Sequence, residues 1–318
     1  MTTHPQPQRT AAAAPGQLLD GMLDRVEERL RGLVAGEHRR WNAVDPRAAT
    51  LVGGIAELVR AGGDRCRPVI CLTGYLAAGG DPDGTEAVEA AAALELLDTC
   101  LLIRSDVRDN APLRRGIPTL HVSHAAEHER NGWRGESRRF GEGTAVLAGD
   151  LALAYGDRLA AGLPTAAWQV WDELRTERVI GAHAHAAAAT EYLDDPWPGR
   201  CISGCTRGCG AGWYALHHPL LLGAALAGRP ELAPAYEDFA RALHAAWRLR
   251  GFLEGGPGYD WDAQLVREVL FQDDTRDMAE RIISDLVHRA TRVAASAPLA
   301  PGWRAELGAF AERVVARG

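Results

Sequence analysis

Asp106 and Asp109 stand three residues apart in the segment LLIRSDVRDNAPLRRGIPT, residues 101–119, where the chain concentrates its chemistry. Carboxylates at that spacing share one face of a helix. Their oxygens can then bridge a hard divalent cation such as Mg2+. Arg114 and Arg115 follow a polar turn, just ahead of Gly116 and Pro118. Their planar guanidinium forks match phosphate oxygens. Acids, metal and arginines together are the parts of a diphosphate site. A plainer reading competes with it: a solvated acidic face, ion-paired to Arg104, Arg108 and Arg114.

The elements that must position these residues are helices. Leu19, Leu23, Val26, Leu30 and Leu33 recur at three- and four-residue spacing, as do Ile282, Leu286, Ala290 and Val293. Ala/Leu stretches at 86–103 and 220–228 predict helices buried on most sides, since alanine allows close approach and has the best helix propensity. No stretch alternates convincingly as a strand would. Gly- and Pro-rich breaks fall at 79–82, 110–118, 131–135, 162–164, 196–199 and 255–258. The expectation is an all-α bundle of about ten or more helices with short loops. Residues 17–318 read as one domain, and residues 1–16 as a flexible Pro/Ala-rich tail without the apolar stretch of a signal peptide.

Composition narrows the partners. The net charge is −7, and all 35 basic residues are arginines. No basic patch of the kind nucleic acid requires is present, so a nucleic-acid partner is not expected. No segment is long and apolar enough for a transmembrane helix. Six cysteines without a secretion signal point to free thiols in a reducing, cytoplasmic setting.

The 101–119 segment resembles the first aspartate-rich motif of the trans-polyprenyl diphosphate synthases, whose usual form is HDDxxDxxxLRRGxPT. GGDRCRP at 62–68 resembles that family's GGKRxRP. Residues 132–159 are similar to actinobacterial members of geranylgeranyl diphosphate synthase type. HHPLLLGAALAG at 217–228 and WRLRGFLEG at 247–255 sit where the family has its late helices. The resemblance runs over about residues 18–317. It implies an isoprenoid-synthase-type helical bundle around a central cavity, usually a homodimer. It also implies an allylic isoprenoid diphosphate held through Mg2+ between two aspartate-rich motifs. Ionisation there gives an allylic cation that isopentenyl diphosphate attacks.

Carried over position by position, the motifs are incomplete. Ser105 replaces the first aspartate and Arg104 the preceding histidine, whereas Asp106 and Asp109 match the second and last aspartates. In the second motif, Gly251 and Phe252 replace the paired aspartates; Glu254 and Asp260 lie nearby but off-position, and the loop between Gly258 and Asp262 is short. The four isopentenyl diphosphate positions become Asp64, Arg67, Asp98 and Arg115. Two of the family's donors are thus carboxylates, which only accept hydrogen bonds and repel a diphosphate. Gly210 replaces a further lysine, and GAHAH, with Ala182 and His185, replaces GQxxD.

The candidate site is therefore Asp106, Asp109, Arg114 and Arg115 for chemistry, with Asp106 and Asp109 as metal ligands. Arg67, Asp98, Arg114 and Arg115 are the candidates for substrate binding. The expectation is a family member whose Mg2+-dependent head-to-tail prenyl transfer is weak or absent. It would serve as an isoprenoid-binding homologue, or as one half of a heterodimer with an active synthase. The alternative is an active prenyltransferase or single-substrate terpene synthase using the remnant motif. Three further features have bland readings. Cys201, Cys205 and Cys209, interleaved with Gly204, Gly208 and Gly212, read as a close helix crossing before a zinc site. His217 and His218 read as surface or satisfied core. Trp213 and Trp247 read as core before cation-steadying walls.

Overall fold

The computed structural model describes residues 14–63, 65–191, 211–254, 273–300 and 302–316. Eleven α-helices make up nearly all of it. In chain order they are α1 (Pro15–Val44), α2 (Pro46–Arg60), α3 (Cys66–Ala77), α4 (Thr85–Arg108), α5 (Leu120–Arg130), α6 (Ser137–Ala160), α7 (Thr165–Glu191), α8 (Ala211–Leu226), α9 (Ala233–Glu254), α10 (Asp273–Ser296) and α11 (Trp303–Ala316). The all-α expectation holds. One feature departs from it: β1 (Leu113–Arg114) and β2 (Ile117–Pro118) pair antiparallel as a minimal hairpin. Two-residue strands are too short to show alternation, so sequence pattern could not have announced them.

The Ala/Leu run at the heart of the chain explains the layout. Ala90 to Leu96 are buried on consecutive positions, so α4 has no solvent face there and must be surrounded. It packs against α6, α3 and α1, while α5 lies on α6 and α8 on α3. A Cβ on Gly223 of α8 would sit 2.4 Å from the Cys71 carbonyl oxygen of α3, so those backbones approach through a missing side chain. The late helices α9, α10 and α11 pack in succession.

Helix ends follow local chemistry. Asp45 caps α2, its side chain accepting from the Arg47 amide at 2.9 Å, with Pro46 at the first helical position. The α1 face is the predicted one: Val26, Leu30 and Leu33 are buried, and Leu19 and Leu23 pack against the core. On α10, Ala290 is buried and Leu286 and Val293 pack against the core as expected, but Ile283 takes the place of Ile282. Ile282 is 45% exposed whereas Ile283 is 2% exposed, and Ala279, Ile283, Ala290 and Ala294 form the buried stripe. Adjacent isoleucines fit either register, and α9 selects between them.

Candidate diphosphate site

α4 delivers the aspartates, but it ends one residue before Asp109. Asp109 is the C-cap, and Asn110 takes a left-handed conformation at φ 49°. The Ala111 amide then donates back to the Asp106 carbonyl at 2.9 Å, and Pro112 prevents further helix. Arg115 and Gly116, at φ 53° and 78°, form the two-residue turn of the hairpin, as a primed turn requires. Buried Thr119 ties the hairpin base, its hydroxyl donating to the Ala111 carbonyl at 2.8 Å.

This local fold separates the two aspartates. The Asp106 side chain is only 3% exposed, and Arg114 Nε donates to its Oδ1 at 2.8 Å. Asp109 is half exposed and clasped by its neighbour Arg108, with Nε donating at 2.7 Å. The predicted shared face is thus split between a buried pair and a surface pair. Ser105 turns its hydroxyl inward to the Leu102 carbonyl at 3.2 Å. Arg104 takes neither aspartate; it reaches across to Asp150 on α6 at 2.6 Å.

The substrate-binding candidates are also engaged. Arg67, on the first turn of α3, is paired through Nη1 with Asp98 of α4. Arg115 donates to the Leu58 carbonyl at 3.0 Å, and its guanidinium lies where a side chain on residue 63 would be. Only glycine leaves that space free. Asp64 lies outside the described residues, as do Cys201, Cys205, Cys209, Gly210, Gly258, Asp260 and Asp262. Gly251 and Phe252 fall within α9, but the Phe252 and Glu254 side chains are outside the description, as are those of His185 and Trp213. Trp247 is 37% exposed on α9, not core.

Arg65, Glu27 and Glu95 were not among the sequence candidates. Arg65 precedes α3 at φ 46° and ties three elements together. It donates to Glu27 of α1 at 2.5 Å, to Glu95 of α4, and to the Val59 carbonyl at 2.7 Å. Burial pushes the Glu95 carboxyl above its usual range, against the pull of Arg65. Burial opposes the Arg65 charge, but Glu27 and Glu95 outweigh it and raise its pKa. The signal for this knot was present: Glu95 is the one acid within residues 90–97, and a buried acid requires a partner.

The arrangement does not fit Mg2+. That ion needs about six oxygens in near-octahedral order. Here Asp98, Asp106 and Asp109 each lie against a guanidinium, and among the described residues no group of three or more His, Cys, Asp or Glu side chains could hold a metal ion.

Residues 49–194 match the polyprenyl synthetase family model. That match covers just under half of the chain and likens it to the polyprenyl synthetase family. It is 36% identical over 121 residues to the short chain isoprenyl diphosphate synthase of Methanothermobacter thermautotrophicus, covering 38% of this chain and 32% of that protein. It is likewise 36% identical over 129 residues to the heterodimeric geranylgeranyl pyrophosphate synthase large subunit 1 of Arabidopsis thaliana, covering 40% and 29% of the two. The matches therefore span about a third of these relatives' lengths. In three dimensions the chain is similar to geranylgeranyl pyrophosphate synthase of Corynebacterium glutamicum, solved with isoprenyl diphosphate and magnesium. The TM-score is 0.78 over 94% of this chain and 99% of that one, at 23% identity. At that identity the likeness is one of fold.

Proposed function

We propose that this chain works in isoprenoid metabolism with Mg2+-dependent head-to-tail prenyl transfer weak or absent. It acts as an isoprenoid-binding homologue or as the partner subunit of an active synthase. One observation carries the reading: the acids and arginines that would hold metal and diphosphate are paired with one another. Arg114 closes on Asp106, Arg108 on Asp109, and Arg67 on Asp98. A metal ion would first have to break a pair whose carboxylate is buried, which costs several kcal/mol. The test is an incubation with Mg2+, isopentenyl diphosphate and geranyl or farnesyl diphosphate. No longer prenyl diphosphate should form, and robust elongation sinks the reading.

A second reading has its own support. The relatives are synthases by name, and Asp106 and Arg114 remain in contact beside the hairpin that carries Arg115. On that reading an allylic diphosphate alone, or with isopentenyl diphosphate, is converted, and Asp106→Ala abolishes the product.

Pairing with a second subunit is supported by α6. Phe140, Val146 and Leu147 are exposed there, Leu147 at 59%, beside exposed Trp133. The large subunit named above is part of a heterodimer by name. Co-purification with an active homologue, and a shift in that enzyme's product length, would mark the partner role. We propose a cytoplasmic setting, which the free thiols of Cys71 and Cys100 support.

A further inference from the structure

α1 and α2 pack as an antiparallel helical hairpin joined through Asp45, and a cleft of about 710 Å3 runs between them. That volume suits a small organic ligand. One contact sets the register of the two walls: a Cβ on Gly53 would sit 4.0 Å from His38 Cδ2. Two turns further from the bend along each helix come Arg31 on α1 and Arg60 on α2, which therefore face each other. Both line the cleft, and so does Arg39, next to His38 at the other end. At about 1.5 Å per residue, the two cationic ends stand roughly 12 Å apart along the axis.

Among the described residues, none of these three arginines makes an ion pair; Arg31 donates only to the Glu27 carbonyl of its own helix, at 3.2 Å. Glu27 lines the cleft too, but its carboxylate accepts from Arg65 at 2.5 Å. The remaining acid of the lining is Glu57, which on the same register stands level with Val34, between the two ends. The floor of the cleft is apolar, with Val34, Ala56 and Val59 buried. Like charges facing across a cleft repel, and an anion seated between them turns that repulsion into attraction. A negative charge at mid-span would instead meet Glu57. Three guanidinia against the uncommitted Glu57 leave a surplus of two positive charges. One carboxylate at each end neutralises that surplus, and two phosphate groups would overshoot it.

We propose that the α1–α2 cleft binds an elongated organic dicarboxylate, with an acid group at each end of an uncharged span. One carboxylate sits between the forks of Arg31 and Arg60, whose planar geometry matches it. The other meets Arg39, and the span lies on Val34, Ala56 and Val59. The site is separate from the Asp106 hairpin and independent of the function proposed above. It adjoins the Arg65 knot, because Glu27 and Val59 supply both cleft wall and two of the Arg65 acceptors.

Calorimetric titration of the intact chain with sebacate, which carries a carboxylate at each end of a methylene chain, tests it. Two comparisons are succinate, whose carboxylates are close together, and the hydroxy acid in which a hydroxyl replaces one sebacate carboxylate. Saturable sebacate binding is expected, with each comparison weaker by about tenfold or more, the loss of a charge-assisted hydrogen bond. Arg31→Gln and Arg60→Gln should each weaken sebacate by a similar factor. Ala35→Phe changes no charge but fills the cleft from an exposed wall position, and should abolish binding. Exposed Arg139 on α6 supplies the control, and Arg139→Gln should bind like the wild type. The absence of wild-type sebacate binding overturns the proposal, and needs no variant to fold. Equal binding of either comparison also overturns it, because two separated acids are then not what is read. So does an Ala35→Phe protein that keeps its circular dichroism and binds normally, since the ligand then sits elsewhere. Equal weakening by Arg139→Gln overturns it as well, because the interaction would then be with net charge.

Discussion

At the residue scale, burial decides what each pair contributes. Asp106 is 3% exposed on its side chain and Arg114 33%, so the two members are not equivalent. Arg114→Leu leaves a buried carboxylate alone, whereas Asp106→Leu leaves a guanidinium that can reach water. We expect Arg114→Leu to cost about 3 kcal/mol, and Asp106→Leu roughly 1 kcal/mol, in urea unfolding. Equal costs would mean that the carboxylate is solvated. The sequence named these residues, because acids and arginines at set spacings are visible as letters. It did not show which acid each arginine takes. Arg104 illustrates the gap: its partner, Asp150, is 46 residues away on another helix.

At the element scale, α8 and α9 carry two histidines whose environments set a pH dependence. Burial, with His217 alongside, drives His218 down to about 3. Burial and Arg248 drive His244 down to about 4. Both are neutral in the fold near pH 7, although Glu177 Oε2 lies 3.7 Å from His218 Nε2 and Glu173 and Glu237 line the same small pocket. An unfolded histidine titrates near 6.5, so the unfolded chain gains protons first as the pH falls. Stability is therefore full above about pH 6.5 and is lost on descending toward the folded values, by at most roughly 1.4 kcal/mol per pH unit for each histidine. Urea midpoints from pH 7.5 to 5 should fall accordingly, and His218→Asn should flatten the slope; a profile unchanged by that substitution refutes the assignment. The α3–α8 crossing gives a second test. Gly223→Ala sets a methyl against the Cys71 carbonyl, and about 2 kcal/mol should be lost in the same assay. Helix existence was legible from periodicity here, and helix ends were less so. The turn at Asn110 and Arg115 depends on left-handed residues other than glycine, which sequence rules do not single out.

At the scale of the whole molecule, the bundle was readable because α4 has no polar side to give away and its neighbours have one apolar face each. Assembly is less legible, since an apolar stripe on α6 looks the same whether it meets a copy or a different chain. Leu147→Arg should convert the proposed dimer to a monomer in sedimentation, or abolish capture of an active homologue if that is the true mate; an unaffected assembly places the contact elsewhere. The closures on Asp98, Asp106 and Asp109 also make the present state hard to reverse. They draw on α3, α4 and the hairpin together. Restoring an aspartate at Ser105 would add one more acid next to arginines already committed elsewhere. Under the proposed function, a laboratory lineage selected for prenyl transfer would have to open these pairs together, because opening any one alone strands a charge.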